Sequence, residues 1–154
     1  MKVIFFKGKV TGDWIDSLIS WWTRGPYAHC EIMFGDDPSE QVQTGSAQRG
    51  NGVYLMERKL DPEDWDIMDI PFGSEEVALQ WFKSHLGLNY DYLGLLGLLS
   101  PVGNEYNHWF CSEACAAALG IPEPWRLDPN RLALMLRMMG GTWNTEFSTI
   151  ASKV

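Results

Sequence analysis

The spacing of apolar residues changes once along this chain, near Ser74, and that change limits the fold more than any other feature. Before it, short apolar runs are bounded by turn residues. Val3–Phe6 reads as a short buried strand, and His29–Phe34 as a second. Gln41–Ser46 is expected as its antiparallel return across Gly35-Asp36-Asp37-Pro38. Val53–Glu57 follows the turn Gly50-Asn51-Gly52, and Trp65–Ile70 alternates as a further strand. One early helix is expected, with Trp14, Ile15, Leu18, Ile19 and Trp22 at helical spacing behind the cap residues Thr11-Gly12-Asp13. After Ser74 the helical period takes over. Acidic Glu75 and Glu76 open a helix whose apolar side is Val77, Leu79, Trp81, Phe82 and Leu86, closed by Gly87. Tyr90–Leu99, punctuated by glycine, reads as a close-packed helix. Cys111–Leu119 is Ala-rich and helical, and Leu127–Met139 is a last helix with Asp128 and Pro129 as cap and first-turn residues. Strands early and helices late predict an α+β fold with helices against an antiparallel sheet.

A chain of 154 residues without repeats or a Gly/Ser linker is expected to form one domain spanning 1–154. The net charge of −8 argues against nucleic acid, whose binding needs basic groups to neutralise phosphates. It also disfavours anionic membrane surfaces. The start, MKVIFFKGK, is too short in apolar residues for a signal-peptide core. No stretch approaches the ~20 apolar residues that span a bilayer. A cytoplasmic protein without integral membrane association is the expectation, and three cysteines without paired spacing fit a reduced compartment.

Cys111 stands at the expected start of the Ala-rich helix, in Trp109-Phe110-Cys111-Ser112-Glu113. A helix N-terminus carries partial positive charge and N–H groups without intrahelical partners. That field favours thiolate, the attacking form of cysteine. The ordinary alternative is a buried cysteine acting as a small hydrophobe, which is how Cys30, inside a strand, and Cys115, one turn on, are read. A thiol nucleophile needs a base. His29 heads a strand just after Gly25-Pro26-Tyr27, which fixes an imidazole well. His85 near a helix C-terminus and His108 in a loop have simpler solvent-facing accounts. Period-two alternation sets Glu31 on the face of His29. The return strand brings Gln41 and Gln43 near, and an amide can also orient an imidazole. A zinc set drawn from His108, Cys111 and Cys115 with His29 or Cys30 lacks every usual ligand spacing, so neither metal nor cofactor is expected.

The order of these parts resembles the circularly permuted NlpC-type, papain-like cysteine amidases. The matching pieces are Leu18–Thr23 leading into Pro26-Tyr27-Ala28-His29-Cys30-Glu31-Ile32, then Gly52-Val53 and His85–Tyr92. Phe110-Cys111-Ser112-Glu113 and Arg126–Leu132 complete the set. The resemblance implies a papain-like antiparallel sheet against a helix that bears the nucleophile at its N-terminus. It makes Cys111 the nucleophile, His29 the base, and Tyr27 and Ser112 parts of the oxyanion and substrate site. The third polar residue comes from the neighbouring strand in such proteins, which points to Gln43 or Gln41, with Glu31 as the local substitute. Strand geometry leans the same way, since residues i and i+2 stand ~7 Å apart along a strand. Cross-strand Cβ atoms approach to ~4.5–5.5 Å. Gln43 is therefore the expected third member. The activity implied is hydrolysis of an amide or ester in a peptide, amide or acyl substrate, cell-wall peptides among them. A phage-encoded protein active in the host cell fits the missing export signal. An acyltransferase acting on lipids, or a binding protein retaining the fold, is the competing expectation.

Overall fold

The structure is a computed structural model that describes residues 1–7, 25–48, 50–90 and 108–151. The expected helix over Trp14–Thr23 and all of Tyr90–Leu99 beyond Tyr90 lie outside the described residues. The strands are β1 (Lys2–Lys7), β2 (Tyr27–Phe34), β3 (Gln41–Gln48), β4 (Gly52–Lys59) and β5 (Trp65–Asp69). Helix α1 (Glu75–His85) follows, then short strands β6 (Asn89–Tyr90) and β7 (His108–Trp109). The chain continues with α2 (Cys111–Ala118), a 3-10 turn at Pro124–Arg126, α3 (Pro129–Met138), β8 (Thr142–Trp143) and α4 (Thr145–Ala151). This is an α+β fold. One antiparallel sheet runs β4-β3-β2-β1-β5-β8, and β6 and β7 form a separate parallel pair.

Both faces of the sheet are covered, which is why β1 and β2 are apolar nearly throughout rather than alternating with polar residues. On one side Val3, Phe5, Cys30, Ile32 and Ala47 join Phe82 of α1, Ala114 and Cys115 of α2, and Leu132 and Leu136 of α3. On the other side Ile4, Met33, Val42, Trp65 and Ile67 close around Phe147 of α4. Small residues let the elements approach closely. Every residue of α2 is buried except Ala117. At Gly45 of β3 an added Cβ would stand 2.7 Å from the ring of Phe82, so the aromatic occupies the place a side chain would take.

The helix starts follow cap chemistry. Ser74 accepts from the N–H of Val77, and Asp128 from that of Arg131 at 2.9 Å, with Pro129 behind it. Two edge pieces escaped the sequence reading. Strand β8 adds to β5 through Met68–Trp143, and β6 pairs with β7; each is too short to show a period. Among the described residues no helix is long and apolar enough to cross a membrane.

Candidate active site

The ladder between β2 and β3 holds only over Ile32–Phe34 opposite Gly45–Gln43, so the strands are not laddered alongside His29–Glu31. Cys30 is held there by side chains: its carbonyl accepts from Ser46 Oγ at 2.7 Å and from Cys115 Sγ at 3.6 Å. Helix α2 packs on β2 and β3 at this opening. Cys111 is its first residue, only 2% exposed, behind Phe110 as N-cap. The Glu113 carboxylate accepts from the N–H of Phe110 at 3.3 Å, which fixes the turn that presents Cys111.

His29 and Cys111 lie close enough for each to move the other's proton equilibrium. Burial alone would raise the Cys111 thiol. Hydrogen bonding from Cys30 and the positive charge and hydrogen bond of His29 outweigh it and bring the thiol down to about 5. Burial alone would lower His29, but the Cys111 thiolate and the Glu31 carboxylate bring it up to about 10. Both shifts run the same way, toward a thiolate on Cys111 beside an imidazolium on His29.

The other side of the imidazole is occupied by a charged network. His29 Nε2 stands 3.1 Å from Glu31 Oε1 and 3.2 Å from the Tyr54 hydroxyl, which itself donates to Glu31 Oε1 at 2.8 Å. Arg58 Nη2 lies 2.9 Å from the same oxygen, and its guanidinium sits over Trp65, 5.2 Å from the ring centroid. Glu31 is fully buried. Burial pushes its carboxyl up, yet the hydrogen bond and charge of His29, with Arg58, hold it below the usual range. A carboxylate at Nε2 keeps a proton on that nitrogen. Tyr54 is raised by burial and by the neighbouring Glu31 charge, so its hydroxyl stays protonated as a donor.

The expected place of Gln43 is corrected by the register. Gln43 pairs with Phe34, at the end of β2 away from His29, and is exposed; Gln41 is exposed as well and donates to Glu57. The carboxylate that meets the imidazole is that of Glu31. Its side chain bends back over the i to i+2 distance to His29, at a stretch of β2 that β3 does not ladder. The polar groups that reach this network from another strand are Tyr54 and Arg58 on β4, which lies beyond β3 in the sheet.

Tyr27 and Ser112 also differ from their expected roles. The Tyr27 hydroxyl donates to Asp66 at 2.9 Å, and the ring packs on Phe5 and Trp143. Ser112 Oγ donates to the Leu127 carbonyl at 2.5 Å, tying α2 to the segment before α3. Both hydroxyl protons are committed to these acceptors. His85 stacks on Trp81 with centroids 4.0 Å apart and belongs to an aromatic group with Trp109. Among the described residues no three His, Cys, Asp or Glu side chains group as a metal ion needs.

Tyr54 and Arg58 were missed from sequence. Their signal is the alternation Tyr54, Met56, Arg58 along one face of β4, plus the need of a buried Glu31 for a cation. No family model matches the chain, and no curated protein matches it.

Proposed function

We propose that the chain is a thiol hydrolase of papain-like, permuted NlpC-type organisation that cleaves an amide or ester through an acyl-enzyme on Cys111. The observation that carries this reading is the buried Cys111–His29–Glu31 relay, in which a lowered thiol at a helix start faces an imidazole anchored by a carboxylate. Cys111 Sγ attacks the carbonyl carbon, and the displaced electron pair moves onto the carbonyl oxygen. First-turn N–H groups of α2 are the donors for that oxyanion, since they have no acceptor four residues back. Collapse breaks the bond to the leaving nitrogen or oxygen, which takes a proton from His29. Water then attacks the thioester and gives a proton to His29. The carboxylic acid leaves, and the thiolate–imidazolium pair is restored.

Glu31 favours the imidazolium that is present at rest and re-formed when water attacks, and Arg58 and Tyr54 hold Glu31 in place. Activated esters and amides test the reading by intact mass and product release. A transient acyl adduct mapped to Cys111, absent in Cys111→Ala and not turned over in His29→Ala, is the expected result. Hydrolysis that survives in Cys111→Ala overturns it.

A further inference from the structure

Hydrogen bonds from both halves of the candidate site lead to one short segment. Ser112, the residue after Cys111, donates from Oγ to the Leu127 carbonyl at 2.5 Å. Two residues before His29, both backbone groups of Tyr27 are held by Asn130. The Tyr27 N–H donates to Asn130 Oδ1 at 3.0 Å, and the Tyr27 carbonyl accepts from Asn130 Nδ2 at 2.9 Å. Residues 127–130 therefore touch the helix of the nucleophile and the strand of the base at once. The two elements also meet directly beside His29, where Cys115 Sγ of α2 donates to the Cys30 carbonyl at 3.6 Å.

This stretch of β2 needs such support. Its ladder with β3 begins only at Ile32. Its ladder with β1 skips Ala28, pairing Phe6 with His29 and Lys7 with Tyr27. An irregularity of this kind bends a strand and re-aims the side chains beside it, here that of His29. In an antiparallel sheet a bonded residue exchanges both its N–H and its C=O with one partner. The Asn130 carboxamide, with a donor and an acceptor in one plane, does the same for Tyr27 in place of a strand. Gly25 leaves the room for it, since an added Cβ there would run into the Asn130 side chain.

The segment is itself well fixed. Asp128 is buried and accepts from the Arg131 N–H at 2.9 Å, and Pro129 sets the backbone of the first helical residue. Leu132 and Leu136, both fully buried, root α3 in the core.

We propose that residues 127–130 form a bracket between the nucleophile helix and the base strand, with Asn130 as the positioning residue for His29. The bracket presupposes the hydrolase reading and names the part of the fold that aligns base and nucleophile. Asn130 acts on the reaction only through the Tyr27 backbone. Alignment of this kind matters because a misplacement of about 1 Å can cost about 100-fold in rate.

Asn130→Ala, Asn130→Asp and Ser112→Ala, each checked for fold by circular dichroism, are compared with wild type. Turnover of p-nitrophenyl acetate and the pH profile of iodoacetamide labelling at Cys111 are read together. Asn130→Asp keeps an acceptor for the Tyr27 N–H and suits the first turn of a helix, but sets an oxygen against the Tyr27 carbonyl. Both Asn130 variants are expected to lower turnover about 10–100-fold. Their labelling midpoint is expected to move up by about one pH unit or more, from a wild-type midpoint of about 5, as the imidazolium is withdrawn. Ser112→Ala is expected to move both readings in the same direction. Lower thermal stability with wild-type turnover and labelling in the Asn130 variants overturns the proposal, because Asn130 then supports the fold alone. Should those variants fail to fold, unchanged turnover and labelling in Ser112→Ala overturn it instead. A wild-type protein that leaves the ester intact, with a labelling profile that still moves in the Asn130 variants, overturns the hydrolase reading and keeps the bracket.

Discussion

Glu31→Gln isolates what the buried charge does, because it keeps the shape and an acceptor oxygen and removes only the negative charge. In the native protein one oxygen, Oε1, receives His29 at 3.1 Å, Tyr54 at 2.8 Å and Arg58 at 2.9 Å. Hydrogen bonds to charged groups contribute about 1.5–3 kcal/mol and neutral ones about 0.5–1.5 kcal/mol, so the imidazolium loses about 1–1.5 kcal/mol of support. At 1.36 kcal/mol per pKa unit, His29 should fall by about one unit from its native value. That native value is about 10.

The ring-proton shift of His29, followed by NMR against pH, reads this directly and needs no substrate. Stability should fall too. Losing the anion of a buried pair costs about 3–5 kcal/mol. The surviving amide acceptor and the partial exposure of Arg58 reduce this to about 1–3 kcal/mol in urea unfolding. The sign of the pH dependence is fixed. Glu31 has a lowered carboxyl, so its contribution is full above the unfolded value near 4.5 and is lost as pH falls through the native one. Wild type should lose this increment in acid, and Glu31→Gln should not. An unmoved His29 titration in the variant refutes the relay.

Cys111→Ala should lower His29 further than Glu31→Gln does, since the thiolate is the larger of the two influences that raise it; the same NMR titration checks the order. Iodoacetamide should modify Cys111 before Cys30 or Cys115, with a rate rising through about pH 5; peptide mapping that finds either neighbour first removes Cys111 as nucleophile. Tyr54→Phe deletes the hydroxyl that donates to Glu31 and stands 3.2 Å from His29 Nε2, and should cost about 1–2 kcal/mol in denaturant unfolding while leaving Cys111 labelling near neutral pH in place. Gly45→Ala should destabilise by about 1–3 kcal/mol because its Cβ meets the Phe82 ring at 2.7 Å, and Phe82→Leu in the same chain should recover part of that loss.

What the sequence made legible is local. The cap residues Ser74 and Asp128, the hairpin of β2 and β3, and the position of Cys111 at a helix start all follow from neighbours within a turn or a strand. The partner of His29 did not follow, because it depends on where a ladder stops. Nothing in Gln41–Gln48 shows that pairing with β2 ends at Ile32, yet that end decides whether Gln43 or Glu31 meets the imidazole. Arg58 and Tyr54 were hidden for the same reason. Their chemistry comes from the approach of β4 to a carboxylate whose burial no single-sequence pattern reveals. The hydroxyls of Tyr27 and Ser112 looked available from sequence, but their acceptors, Asp66 and the Leu127 carbonyl, are distant in the chain.

The buried carboxylate also ties the fold to the chemistry. An uncompensated Glu31 in this interior would be costly enough to take up a proton, and a neutral carboxyl would support the imidazolium poorly. It stays charged through His29 and through Arg58, which β4 delivers to the same oxygen that faces His29, with the Tyr54 hydroxyl donating there too. A one-residue slip of β4 against β3 would turn both side chains to the opposite face of the sheet. The thiolate at Cys111 would then lose its imidazolium, although Cys111, His29 and Glu31 had not moved. Arg58→Met should therefore shift the His29 titration downward while leaving the β2 hydrogen bonds to β1 protected from amide exchange. Loss of that protection together with the shift would mean that Arg58 supports the sheet rather than the charge.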